Sequence, residues 1–295
     1  MNQKQLNIMN ENDGFIAALD QSGGSTPKAL LSYGVDDSYY NNEDEMFNEV
    51  HKMRSRIIQS PSFNNKSILA AILFENTIDK EIENKLTADY LWEEKGIVPF
   101  LKIDQGLDLE KNGVQLMKTI DGLTELLQKA KQRNIFGTKM RSLIKKADPV
   151  GIKAIVDQQF EIAQIIIQAG LVPIIEPEVD INIPDKLEAE ALLKNELHKK
   201  IKTLKAEDRI IFKLTIPTKA NFYQELMIYP QVIRVVALSG GYSAKKANQL
   251  LALNHNLIAS FSRALAEGLS YQKTQEEFDQ TLENSIKNIY QASIT

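Results

Sequence analysis

The sequence predicts one (β/α)8 barrel, the TIM-barrel architecture of the α/β class, and three observations carry that expectation. Short apolar runs recur along the chain, most of them nearly continuous rather than alternating, which is how parallel strands covered on both faces read. Amphipathic segments with helical spacing lie between these runs. No linker rich in proline, glycine or serine divides the 295 residues, a length that single α/β barrels reach. Residues 1–13 are expected to form a leading arm, and 14–295 one barrel domain that includes a C-terminal helix.

The predicted strands are GFIAALD (14–20), ILAAILFE (68–75), IVPFLKID (97–104), NIFGTKMR (134–141), LVPIIEPE (171–178), RIIFKLTIP (209–217), VIRVVALSGG (232–241) and LIASFSRA (257–264). Helices are expected over DEMFNEVHKMRSRII, LTELLQKAKQR, IKAIVDQQFEIAQIIIQAG, DKLEAEALLKNELHKKIKTL, SAKKANQLLAL and EEFDQTLENSIKNIYQAS. Gly170 is placed to end the third of them as a C-cap. The main rival fold is a doubly wound open sheet, but the early turn DQSGGS (20–25) lacks the G-x-G-x-x-G spacing of its dinucleotide-binding form.

Composition narrows the function. With 39 acids against 35 bases the net charge is −4, which gives no electrostatic reason to expect nucleic acid or an anionic membrane as partner. The chain has no cysteine, so disulfides, thiolate metal sites and cysteine nucleophiles are excluded. The polar N-terminus lacks the apolar stretch of a secretory signal and no run is long enough to span a bilayer, so a cytoplasmic location is expected. His51, His198 and His255 share no motif spacing, and neither a metal nor a cofactor is expected.

Barrel active sites lie at the C-terminal ends of the strands, and here those ends carry charge. The first ends in Asp20, the third carries Lys102 and Asp104, the fourth Lys139 and Arg141, the fifth Glu176 and Glu178, and the sixth Lys213. The seventh runs into Ser239-Gly240-Gly241 and the eighth into Ser260, Ser262 and Arg263. Singly, each has an ordinary alternative. A carboxylate after a strand is often a helix cap or turn residue, a lysine can snorkel outward, and Ser-Gly-Gly can be a plain loop as well as a phosphate-binding turn.

Together they describe a chemistry. Lys213 sits among Ile210, Ile211, Phe212, Leu214 and Ile216, and a lysine stripped of water beside a second cation loses its proton more readily and becomes a nucleophile. Lys139 projects from the fourth strand, across the strand that carries Glu176. Asp20 and Glu176 are placed to move protons while the amine attacks a carbonyl. This is the equipment for imine chemistry, in which the protonated imine withdraws electrons from a neighbouring carbon-carbon bond.

FIAALDQSGGSTPKAL, FLKIDQG, FGTKMR, LVPIIEPEV, FKL, ALSGGYS and FSRAL, in this order and spacing, resemble the class I fructose-bisphosphate aldolases of the shorter bacterial branch. The likeness runs over roughly residues 14–292, with VPIIEPE and LSGG followed by SRAL as its most specific parts. It implies a metal-independent lyase that cleaves fructose 1,6-bisphosphate reversibly to glycerone phosphate and glyceraldehyde 3-phosphate. By resemblance Lys213 is the Schiff-base lysine, Glu176 the proton-transferring glutamate, Glu178 the second glutamate, Asp20 the substrate-orienting aspartate and Lys139 the second lysine. Ser239, Gly240, Gly241 and Arg263 match one phosphate site, and Ser22, Ser25 and Lys102, with Arg141 nearby, the other. Gln21 stands where the animal enzymes carry an acid. The expected partners are a sugar bisphosphate and two triose phosphates, and the oligomeric state is left open, a homo-oligomer included. The nearest alternative is a Schiff-base aldolase for tagatose bisphosphate or another phosphosugar, and the alternative from another class is a non-catalytic binding barrel.

Overall fold

The computed structural model describes residues 2–22 and 25–295. Each of the predicted apolar runs forms a strand: β1 (Phe15–Leu19), β2 (Ile68–Leu73), β3 (Val98–Lys102), β4 (Gly137–Ile144), β5 (Val172–Val179), β6 (Ile210–Thr215), β7 (Val232–Leu238) and β8 (Ile258–Phe261). Each pairs in parallel with the next, and β8 returns to β1 through the register Ile16 with Ser260, so the sheet closes on itself.

The surrounding helices are α1 (Gln3–Glu11), α2 (Ser25–Tyr33), α3 (Glu43–Gln59), α4 (Glu75–Ile78), α5 (Thr87–Glu93), α6 (Leu123–Gln132), α7 (Pro149–Gln168), α8 (Lys186–Ile201), α9 (Ala244–Leu251), α10 (Arg263–Ala266) and α11 (Gln275–Ser293). The amphipathic segments read from the sequence are α3, α6, α7, α8, α9 and α11. Two details differ from the expectation. The connection from β6 to β7, where the regular strand-helix repeat of a barrel would place a helix although no amphipathic segment was read there, holds the 3-10 turn Gln224–Ile228. Helix α7 is capped by Ala169, and Gly170 lies one residue beyond it at φ +84°, where Leu171 N–H returns to Ile166 O at 3.2 Å. That is the left-handed closure glycine favours, shifted by one position.

Because side chains alternate along a strand, each strand feeds two apolar layers. Ile16, Ala18, Ile72, Phe100, Ile174 and Ile211 fill the barrel interior, while Ala17, Leu19, Leu101, Ile175, Phe212 and Val235 face the helices. Neither face is wet, which is why the strands read as unbroken apolar runs.

The residues expected to form a leading arm contain α1, capped by the Asn2 side chain on the Lys4 and Gln5 N–H groups. Met9, fully buried, enters the interior layer, with Leu6 and Ile8 packed against it. Arg234, near the start of β7, fastens this end by donating from Nε to Met9 O at 2.8 Å and from Nη2 to Asn12 O at 3.0 Å. Helix α1 therefore closes the end of the barrel from which the strands start. Met9→Ala should cost about 2–5 kcal/mol, the usual range for emptying such a site, read as a lower urea midpoint; an unchanged midpoint would mean that α1 is not part of the barrel's core.

Candidate active site

Moving along each strand toward its C-terminal end, the inward positions switch from apolar to charged. Ile16 and Ala18 are followed by Asp20, Val98 and Phe100 by Lys102 and Asp104, Val172 and Ile174 by Glu176 and Glu178, and Ile211 by Lys213. The spacing of two that points the apolar residues inward carries the charges to the same face. They meet at the barrel mouth.

At its centre is Glu176, which is 3% exposed and bound by two ammonium groups. Lys213 Nζ lies 3.1 Å from Oε1 and Lys139 Nζ 3.2 Å from Oε2. The second cation expected beside Lys213 is thus present, but the two lysines face each other across a shared carboxylate. Lys139 has further partners, Asp20 Oδ2 at 2.6 Å and Asp104 Oδ2 at 3.8 Å.

Burial by itself would push the Asp20 carboxyl up, but the charges of Lys139, Lys213 and Lys102 and the hydrogen bond from Lys139 outweigh it and hold the group well below the usual carboxylate range. Burial would likewise lower Lys139; the carboxylates of Asp20, Glu176 and Asp104 overcome that and raise it above the ordinary lysine value. Lys139, 3% exposed, is locked as an ammonium ion. Lys213, 4% exposed, forms its ion pair with one carboxylate only among the described residues.

Around this cluster two further cations, Lys102 and Arg141, are held in place by acids. Lys102 Nζ binds Asp104 Oδ1 at 2.8 Å and the main-chain oxygen of Asp104 at 2.5 Å, and lies 5.9 Å from the centre of the Phe74 ring. Arg141 Nε donates to Glu178 Oε2. Asp104 is the acid that sequence reasoning noticed at a strand end without giving it a role; its partners lie on β3 and β4, a contact that spacing alone does not disclose. Among the described residues no three His, Asp or Glu side chains are grouped so as to hold a metal ion.

Two more parts of the mouth come from loops. After β7, Ser239 is buried and Tyr242 N–H closes a turn onto Ser239 O at 3.1 Å. Gly240 has φ +61° and a Cβ there would stand 2.7 Å from Ile181 Cγ2; Gly241 has φ +118° and a Cβ there would stand 3.5 Å from Arg263 Nη2. Both positions need glycine, and the second keeps the turn open to the exposed Arg263. Ser243 then caps α9 by accepting from Lys246 N–H, so the turn leads into a helix N-terminus, where backbone N–H groups suit an anion. Ser22 lies beyond Asp20 and Gln21 in the exit of β1, whereas the side chain of Ser25 lies outside the described residues.

The exit of β6 is fixed by a buried pair that sequence reasoning missed. Lys186 Nζ donates to Glu190, to Ile216 O at 3.0 Å and to Thr218 Oγ1 at 3.1 Å, and Thr218 N–H donates to the Glu190 carboxylate at 3.1 Å. The signal was an i, i+4 Lys-Glu pair on α8, the same pattern that an exposed helix face carries.

The chain is similar to known proteins in sequence and in fold. A family model described as "Glycolytic: Fructose-bisphosphate aldolase class-I" matches residues 1–221. The fructose-bisphosphate aldolase class 1 of Clostridium acetobutylicum is 62% identical over 295 residues, covering all of both chains. Among solved structures, the fructose-bisphosphate aldolase of Plasmodium falciparum, determined in complex with TRAP and a small-molecule inhibitor, superposes with a TM-score of 0.75 over 98% of this chain and 93% of that one, at 18% identity. Cgl0159 of Corynebacterium glutamicum superposes with a TM-score of 0.55 over 99% of this chain and 92% of that one, at 11% identity. These two structural likenesses speak for the barrel fold, while the family model and the full-length relative speak for descent. The chain belongs to the class I fructose-bisphosphate aldolase family.

Proposed function

We propose that this enzyme cleaves fructose 1,6-bisphosphate reversibly through a Schiff base on Lys213, with Glu176 and Asp20 moving the protons. The observation that carries the reading is the buried carboxylate of Glu176 shared by two lysines, one on each oxygen. Lys139 is fixed as a cation by its acids, which leaves Lys213, with its one carboxylate partner, as the amine available for attack. Glu176 is within reach to accept the proton that Lys213 must lose.

The freed amine of Lys213 adds to the ketone carbon of the sugar, and the carbinolamine loses its hydroxyl as water with a proton supplied by Glu176, giving an iminium ion. A carboxylate, Asp20, takes the proton of the hydroxyl on carbon 4. The bond between carbons 3 and 4 breaks, its electron pair passes to the iminium to form an enamine, and glyceraldehyde 3-phosphate leaves. Protonation of the enamine and hydrolysis by water return the amine and release glycerone phosphate. Lys139 keeps Asp20 ionised and balances the charge that builds on the carboxylates.

Two phosphate clusters suit a substrate charged at both ends. Ser239, Gly240, Gly241 and Arg263 would hold one phosphate on backbone N–H groups and a guanidinium, and Lys102, Arg141, Ser22 and Ser25 the other. The acids now paired with Lys102 and Arg141 keep those cations pointed inward until a phosphate competes for them. Glu178, bound to Arg141, is assigned to the edge of the reacting centre. A reaction on free triose and hexose phosphates goes with a cytoplasmic location, and no helix among the described residues is long and apolar enough to cross a membrane.

Borohydride added with substrate should attach a reduced triose or hexose adduct to the peptide containing Lys213, and Lys213→Met should abolish both the adduct and cleavage. An adduct on another lysine would overturn the assignment. Glu176→Gln should lower the cleavage rate by roughly 10²–10⁴-fold, the range for loss of a general acid-base group, while adduct formation slows because water loss from the carbinolamine lacks its acid; rates within about twofold of the unsubstituted enzyme, well inside that range, would remove Glu176 from this role.

The pH dependence has a definite sign. Asp20 is depressed in the folded chain, so the stability it contributes is complete above its ordinary value near 3.8 and is lost as pH falls below that. In the intact enzyme it does not set the acidic limb of activity near neutrality. Lys139→Met removes the largest opposing charge and leaves only those of Lys213 and Lys102 against desolvation, so the acidic limb of kcat/KM should move to higher pH. A limb that stays in place would show that Lys139 does not keep Asp20 ionised.

A further inference from the structure

Three neighbouring strand exits are joined by hydrogen bonds that the reaction scheme does not use. Arg54, on α3 outside the barrel, is 1% exposed and ranks among the largest fully buried side chains. Its Nη1 donates to Thr77 Oγ1 at 2.8 Å, just beyond β2, and its Nη2 donates to the main-chain oxygen of Gln21 at 2.6 Å, just beyond β1. Gln21 Nε2 in turn donates to Ser262 Oγ at 2.6 Å, just beyond β8. The relay therefore runs from β2 through β1 to β8. Its middle member lies between Asp20 and Ser22, and its last member adjoins Arg263.

A guanidinium is an expensive way to pin a helix. Arg54 has no ion pair with a carboxylate among the described residues, and its Nε has no hydrogen-bond partner there. Burial brings its pKa down to about 10, although the charge of Asp20 works in the other direction. Docking of α3 is already supplied by Met46, Val50, Met53, Ile57 and Ile58, buried on the same helix, and apolar residues of similar volume commonly replace buried charges without loss of stability. What an apolar residue cannot do is hold Thr77 and the Gln21 carbonyl at fixed positions together.

We infer that Arg54 and Gln21 are positioning residues that fix Asp20 at the end of β1 relative to Arg263 at the start of α10, so that the reacting carbons and one phosphate are held in register. The inference rests on the Lys213 reading given above. Arg54 orders the β1 exit from outside the barrel, and Gln21 carries that order across the seam where the barrel closes.

The test separates positioning from folding. A variant that only loosens the fold lowers the fraction of active chains, which reduces apparent kcat and leaves KM unchanged. Arg54→Met and Gln21→Met, with active sites counted by borohydride trapping, should instead raise KM for fructose 1,6-bisphosphate roughly tenfold, a change worth about 1.4 kcal/mol, and lower kcat per trapped site. In Arg54→Ala, added guanidinium ion should bring KM back toward the unsubstituted value. If Arg54→Met does not fold, Gln21→Met decides alone, since it leaves the Arg54 bonds to Thr77 and the main chain in place. Unchanged KM and unchanged kcat per site in the folded variants would overturn the inference. Failure of the unsubstituted enzyme to form any adduct would overturn the Lys213 reading instead, and the KM values, which need no count of sites, would still decide the relay.

Discussion

The constraint on which the site depends is the burial of ionised groups that compensate one another. A lone ammonium in the barrel interior would shed its proton, and a lone carboxylate would take one up. Here Lys139 faces Asp20, Asp104 and Glu176, and Lys213 faces Glu176, so removing Glu176 leaves Lys213 without its carboxylate and removing Lys139 leaves Asp20 without its ion pair in a dry place. The cluster holds its charges only as a set. The barrel supplies the rigidity this needs, because each member stands on a different strand or strand exit and the strands are bound edge to edge around a closed sheet.

The two lysines differ by connection rather than by type. One is surrounded by acids and fixed as a cation; the other touches the same carboxylate from the opposite side with fewer partners. On the proposed mechanism a single glutamate between the two amines serves both, since the proton that Lys213 gives up has an acceptor already in contact.

Most of the fold was legible because burial on both faces of a parallel strand leaves unbroken apolar runs, and because the amphipathic helices between them repeat at 3.6 residues. The charges at the strand ends were legible for the same reason: Asp20, Lys139, Glu176 and Lys213 interrupt apolar runs, and an interruption near a strand's C-terminal end points to the mouth of a barrel. The pairings were not legible. Which oxygen of Glu176 meets which lysine depends on the stagger between β4, β5 and β6, and no spacing within one strand encodes it. Arg54 was hidden more thoroughly, since it lies in EVHKMRSRII among residues that look like the wet side of a helix; its burial depends on loops after β1 and β2 that fold over it.

Helix α1 gives the interior a floor. With Met9 seated below Phe100 and Ile174 and their neighbours, the apolar layer beneath the charges is a stopper, and the barrel is a cup. The packed layer beneath the charged groups leaves the mouth as the side from which substrate and water can approach them. On the proposed mechanism, the water that ends each turnover must then come from the same side as the substrate.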